Sequence, residues 1–191
     1  MLSYERVAFK NAFLALRKTM RWAWVLALVV FVVHLVLAIY VNRDWYSLTE
    51  HALSDLGSER AKSPEIFNLG LITSAVLLSF FSFYLYERFG SVPAASMLLT
   101  SALLAGVGLF PEGRSLHLFF AVSFFAMAYV TVLVSSFRLL LEKKEKTSAV
   151  VPILLTVVAV IGLLAPWPSI ALLELYLIAV LTACFFVLSR A

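Results

Sequence analysis

The sequence predicts an all-α fold, a polytopic membrane bundle of six transmembrane helices plus a short helix in an outer loop. Three observations predict it. Of the 191 residues, 63% are hydrophobic and 14% charged, against roughly half and about a quarter in a soluble domain. The apolar residues fall into six runs, each close to the ~20 residues that a spanning helix needs. The basic residues collect in the short segments between those runs, which is the topogenic pattern of membrane proteins. The formal charge of +4 is therefore a matter of topology, and no nucleic-acid partner is expected.

The chain reads as one transmembrane domain over residues 1–191. Residues 1–21 form a basic amphipathic lead-in with Phe9, Phe13 and Leu16 on one face, suited to the membrane surface. A plain basic tail accounts for the same composition. The first run, 22–41, is too long for a signal-peptide core and has no small-residue cleavage site after it, so it is a retained helix. The outer loop, 42–65, carries a capping box in Ser47-Leu48-Thr49-Glu50, and Gly57 fits the position after a helix end. A short helix over 48–56 follows, with Leu48, Ala52, Leu53 and Leu56 as its apolar face against the outer surface of the bundle or membrane.

Ser63-Pro64 opens the second run, 66–86, as N-cap and first helical residue. Ser91-Val92-Pro93 opens the third, 93–110, and Ser115 is placed to cap the fourth, 116–137. Pro166 and Pro168 separate the fifth, 149–165, from the sixth, 170–188. The third and fifth are short and carry Gly106, Gly108 and Gly162, which permit close helix contacts. Val107-Gly108-Leu109-Phe110-Pro111 resembles Ile161-Gly162-Leu163-Leu164-Ala165-Pro166, a faint repeat that relates two hairpins. Cys184 is the single cysteine, so no disulfide forms within the chain.

With the N-terminus inside, eleven Lys and Arg residues lie in inner segments, and four (Arg43, Arg60, Lys62 and Arg114) lie in outer ones. The expected location is the cell membrane, multi-pass, with both termini cytoplasmic.

Polar groups at membrane depth are costly and are read first as functional. They gather at the outer end as His51, Asp55, Glu65, Asn68, Glu112, His117 and Glu174. His51 and Asp55, four apart, share a face of the expected short helix. Glu174 lies about a turn inside the sixth helix between Leu173 and Leu175. Asp55, Glu112 and His117 are the catalytic candidates, and Asn68, His51 and Glu174 the substrate-binding ones. Two histidines with carboxylates suit a divalent metal such as zinc that activates water, with His51, Asp55, Glu112 and His117 as candidate ligands. Without metal, a His–Asp pair serves as base and orienter. The alternative is that all these groups cap helices and bond along the rim.

His34, in mid-span, is a relay or ligand on one reading and a hydrogen bond to a neighbouring helix's Ser or Thr on the favoured one. Trp22, Trp24, Tyr40, Trp45, Tyr46, Tyr84, Tyr86 and Trp167 read as interfacial aromatics. Phe80, Phe81, Phe83, Phe119, Phe120, Phe124 and Phe125 are candidates to line a lipid-tail groove, although each by itself reads as an ordinary packing residue.

The segments Leu53-Ser54-Asp55-Leu56-Gly57, Ile66-Phe67-Asn68-Leu69-Gly70 and Gly108-Leu109-Phe110-Pro111-Glu112, with His117, resemble the DUF998 family, six-helix membrane proteins of unknown function. The Ser-Asp-Leu-Gly segment is distantly similar to the outer loop of the Frag1/DRAM/Sfk1 proteins, some of them implicated in lipid or anchor remodelling. The resemblance implies that Asp55, Asn68, Glu112 and His117 form the family's site, and it supplies no reaction. Glu174 stands outside that pattern.

The expected function is therefore an enzyme acting on a lipid or lipid-linked substrate at the outer leaflet. The alternative is a lipid-binding or assembly protein without chemistry, and the third reading is a small transporter. Membrane lipids are the expected partners, with homo-oligomers as a further option. The site reading requires Asp55, Asn68, Glu112 and His117 to meet in one pocket, with His117 on Asp55 or Glu112.

Overall fold

The computed structural model describes residues 19–142 and 145–191. The amphipathic lead-in over 1–18 and the basic-loop residues Lys143 and Lys144 lie outside the described residues. Among the described residues there are six complete α-helices and one 3-10 helix, in the order α1 (Ala23–Val41), the 3-10 helix (Leu53–Gly57), α2 (Pro64–Phe89), α3 (Ser91–Leu109), α4 (His117–Glu142), α5 (Lys146–Gly162) and α6 (Ile170–Leu188). The protein is thus an all-helical membrane bundle, and all but α5 are long and apolar enough to cross a bilayer. At 17 residues, α5 spans about 26 Å at the helical rise, the lower limit for a crossing. It lies along both α4 and α6.

Each boundary has a local cause. Pro64 occupies the first turn of α2, where its missing N–H costs nothing. Gly90 alone joins α2 to α3, and its φ of 94° is open to glycine without strain. Ser169 caps α6 by accepting the Leu172 N–H at 3.2 Å. At 26 residues each, α2 and α4 reach about 39 Å, beyond the hydrocarbon. Their overhanging ends meet where Arg88 donates to Glu142 at 3.0 Å.

Successive helices pack as antiparallel neighbours, and α4 also packs on α6. Side-chain bonds tie the pairs together. Ser74 Oγ donates to Ala27 O at 3.0 Å, the Thr100 and Thr131 hydroxyls meet at 3.2 Å, and Tyr129 OH donates to Leu177 O at 3.0 Å. Leu26, Val29, Val33 and Leu37 of α1 face outward, as a lipid-facing stripe should.

The loop differs from expectation. Ser47 Oγ accepts the Thr49 N–H, and the Ser47 N–H points to His51 Nδ1, which closes a single turn. Ala52 is then extended, at φ −92° and ψ 158°. The helix expected over 48–56 is therefore a turn followed by the 3-10 helix. Leu53 and Leu56 do not lie on the outer surface but are buried between the helices. Three residues of the expected aromatic belt, Trp24, Tyr46 and Tyr84, are also buried, and Tyr84 OH donates to Leu188 O at 3.2 Å. His34 bonds its own helix through Nδ1 and Val30 O at 2.8 Å. It lies on Gly70 of α2, where a Cβ would strike the imidazole, so its neighbour offers room and not a hydroxyl.

Candidate functional site

Asn42, fully buried at the end of α1, holds both ends of the loop. Its Oδ1 accepts Trp45 Nε1–H at 3.0 Å and the Lys62 N–H at 2.8 Å, while Nδ2 donates to Ala38 O at 2.9 Å. The middle of the loop is fastened to α6. Ala171 N–H donates to His51 O at 2.9 Å, Ser169 Oγ donates to Leu48 O, and Leu53 N–H donates to Glu174 Oε2 at 2.8 Å. Leu53 and Ser54 are thereby laid across the space between the helices.

Beneath them lies a cavity of about 130 Å³ lined by α1, α2, α4 and α6, with Leu104 and Val107 of α3. Phe31, Phe67, Leu71, Phe124 and Ile178 line its upper part, and Trp24, Leu78, Leu181 and Phe185 its lower part. From Glu174 to Phe185 the wall extends about 16 Å along α6 at the helical rise. Of the seven phenylalanines singled out in the sequence, Phe124 and Phe125 line the cavity, while Phe80 and Phe119 face outward.

Polar groups concentrate at the lid end. Ser54, His117 and Glu174 line the cavity there. His117, 6% exposed, places Nε2 3.0 Å from Glu112 Oε2 and Nδ1 2.8 Å from Phe110 O. The imidazole thus bridges the Glu112 carboxylate and the Phe110 carbonyl. Ser54 Oγ donates to the same Glu112 oxygen at 3.3 Å. Glu174 has Asp55 and Glu112 within electrostatic range. Tyr46 lies close enough to feel Glu174 and Asp55, and burial first, then those carboxylates, push its phenol above the ordinary value, so it stays neutral.

The expected site residues therefore separate. His117 and Glu174 line the lid end of the cavity, and Glu112 reaches it through His117 and Ser54. Asp55 is near but turns Oδ2 back to the Ala52 N–H at 2.9 Å, bracing the 3-10 helix. Asn68 Nδ2 donates to Gly57 O at 3.0 Å and holds the lid onto α2. His51 stacks on Tyr46 and meets Trp45 edge-on, inside the loop. Glu65 is exposed. His117 pairs with Glu112, and not with Asp55. Among the described residues no three His, Cys, Asp or Glu side chains gather as metal ligands. His51 and Asp55 are committed to the loop, so the four-residue zinc set does not assemble. Ser54, which in the sequence is one serine among many, joins the cluster. Its only local signal is its place in the Leu53-Ser54-Asp55-Leu56-Gly57 segment.

The sequence model of the DUF998 family, described as a protein of unknown function, matches residues 25–191. No curated protein and no solved structure matches the chain.

Proposed function

We propose, from the premise that the chain belongs to the DUF998 family, that it is a membrane enzyme acting on a lipid or lipid-linked substrate. The observation that carries the reading is one space with an apolar body and a Glu112–His117 pair, 3.0 Å apart, at its lid end. An acyl or isoprenoid chain in the cavity gains the hydrophobic transfer energy of its buried surface. Its head then lies beside Glu112, His117 and Glu174. There the pair takes a proton from a water or hydroxyl attacking the head and returns it to the leaving oxygen, as a general base and then acid. The excess of Lys and Arg at the other end of the bundle supports a mouth in the outer leaflet.

The test is turnover of extracted membrane lipids by purified protein in nanodiscs, followed by mass spectrometry. Glu112→Gln and His117→Asn should each slow product formation roughly 100-fold or more, the usual contribution of a general acid–base group. Both variants should still carry bound lipid. If either variant turns lipid over as fast as the unaltered protein, the enzymatic reading is wrong.

One observation favours lipid binding without chemistry as the second reading. The Ser54 hydroxyl points at Glu112 and not at His117, so no serine nucleophile is lined up on the imidazole. Bound lipid with no product from the unaltered protein would select that reading.

A further inference from the structure

The lid end of the cavity is rich in acceptors, and no Lys or Arg side chain lines it. Asp55 and Glu112 both lie within electrostatic range of Glu174, and Ser54 and His117 complete the rim. The four cationic side chains at this end are engaged elsewhere. Arg43 lies over the Tyr40 ring at 4.8 Å and Arg60 over Trp45 at 4.3 Å. Lys62 pairs with Asp44 at 3.0 Å, which holds the Asp44 carboxyl below its ordinary value, and Arg114 pairs with Glu59 at 3.1 Å. None of the four lines the cavity. A phosphate head placed here would meet carboxylates with no Arg or Lys to neutralise it, and like charges at close range in a low dielectric repel strongly.

We infer that the cavity takes an amphipath whose head bears a hydroxyl or amine donor and no negative charge, and that it rejects phosphate-headed lipids. The inference rests on the reading of the cavity as a lipid site. Glu174 and the Glu112–His117 pair are the head's acceptors. Glu174 already receives the Leu53 N–H on Oε2, and a carboxylate has lone pairs for more than one donor.

Three probes with one tail separate head from tail: 1-hexadecanol, hexadecylamine and hexadecyl phosphate. Each is added to the purified protein in detergent, and affinity is read by native mass spectrometry and by the shift in thermal unfolding. The alcohol and the amine should bind and raise the unfolding midpoint, and the phosphate should bind roughly ten-fold more weakly or worse, the value of one charge-assisted contact. Ala121→Trp, which fills the cavity from α4, should abolish binding of the alcohol and the amine. Glu174→Gln should weaken the amine more than the alcohol.

Equal binding of the phosphate, still abolished by Ala121→Trp, would overturn the head-group inference and leave the lipid site standing. Failure of all three to bind, or equal effects in the unaltered protein and Ala121→Trp, would overturn both. The probe series on the unaltered protein decides the head group even if a variant fails to fold.

Discussion

At the scale of single residues, the most consequential side chain is one the sequence gives no reason to single out. Asn42 is fully buried, and its Oδ1 serves Trp45 Nε1 and the Lys62 N–H at once. Asn42→Ala leaves both donors without their acceptor, at about 1–3 kcal/mol for each buried group left unpaired. The purified variant should melt several degrees lower, and limited proteolysis should cut first in the loop at 43–62. An unchanged melting point for Asn42→Ala would show that the two bonds do not hold the loop. The sequence exposes polar residues at a membrane edge, and so Glu112, His117 and Glu174 were legible as a group. It does not reveal which groups a backbone amide will claim. Asp55 and Asn68 were candidates for chemistry on the same grounds and are consumed by Ala52 N–H and Gly57 O. Ser54 was hidden for the opposite reason, since a serine in a loop carries no cost that marks it.

At the scale of elements, the six helices were legible because length and hydropathy alone determine them. The ends ran further than the apolar runs, as in α2 and α4, because charged helix-formers such as Glu87, Arg88 and Glu142 continue a helix past the hydrocarbon. The loop helix was misread because Ser47 satisfied Thr49 and His51 locally, and that local bonding competes with a continuous helix. The small residues of α3 were read correctly as contact points. A Cβ on Gly108 would stand 2.8 Å from the Asn68 carbonyl oxygen, which is backbone and cannot turn aside. Gly108→Val should therefore force α2 and α3 apart, at about 1–3 kcal/mol as for other overpacked sites. Because Asn68 also holds Gly57, the displacement should reach the lid. Hydrogen exchange at residues 53–57 should quicken in Gly108→Val, while exchange in mid-α6 should not. A variant as stable as the parent, with unchanged exchange in the lid, would refute the coupling.

At the scale of the whole molecule, the cavity is legible only in fragments: Phe124 and Phe125 are groove candidates from the sequence, but most of the wall is not. Its walls come from five helices and the lid, and no periodicity in one helix reveals a space shared by several. Phe31, Phe67 and Phe185 acquire a common role only after assembly. The orientation of the bundle is the opposite case, because it is carried by the sequence and by nothing in the packing. By sequence, eleven Lys and Arg residues fall in the segments assigned to the inner side and four in the outer ones, and each of the four is engaged at the loop surface. Basic segments resist translocation, so the loop end should face outward and both termini the cytoplasm. Cys184, the single cysteine and a buried one, makes the test simple once it is replaced by alanine. On that background Glu59→Cys should react with a membrane-impermeant maleimide in intact cells, and Lys146→Cys only after the membrane is opened. Both positions are exposed, so a failure to label reports sidedness and not burial. The reverse pattern would place the mouth of the cavity in the cytoplasmic leaflet. The Glu112–His117 pair would then meet cytoplasmic lipids, while the preference for an uncharged or cationic head, which depends only on the local carboxylates, would persist.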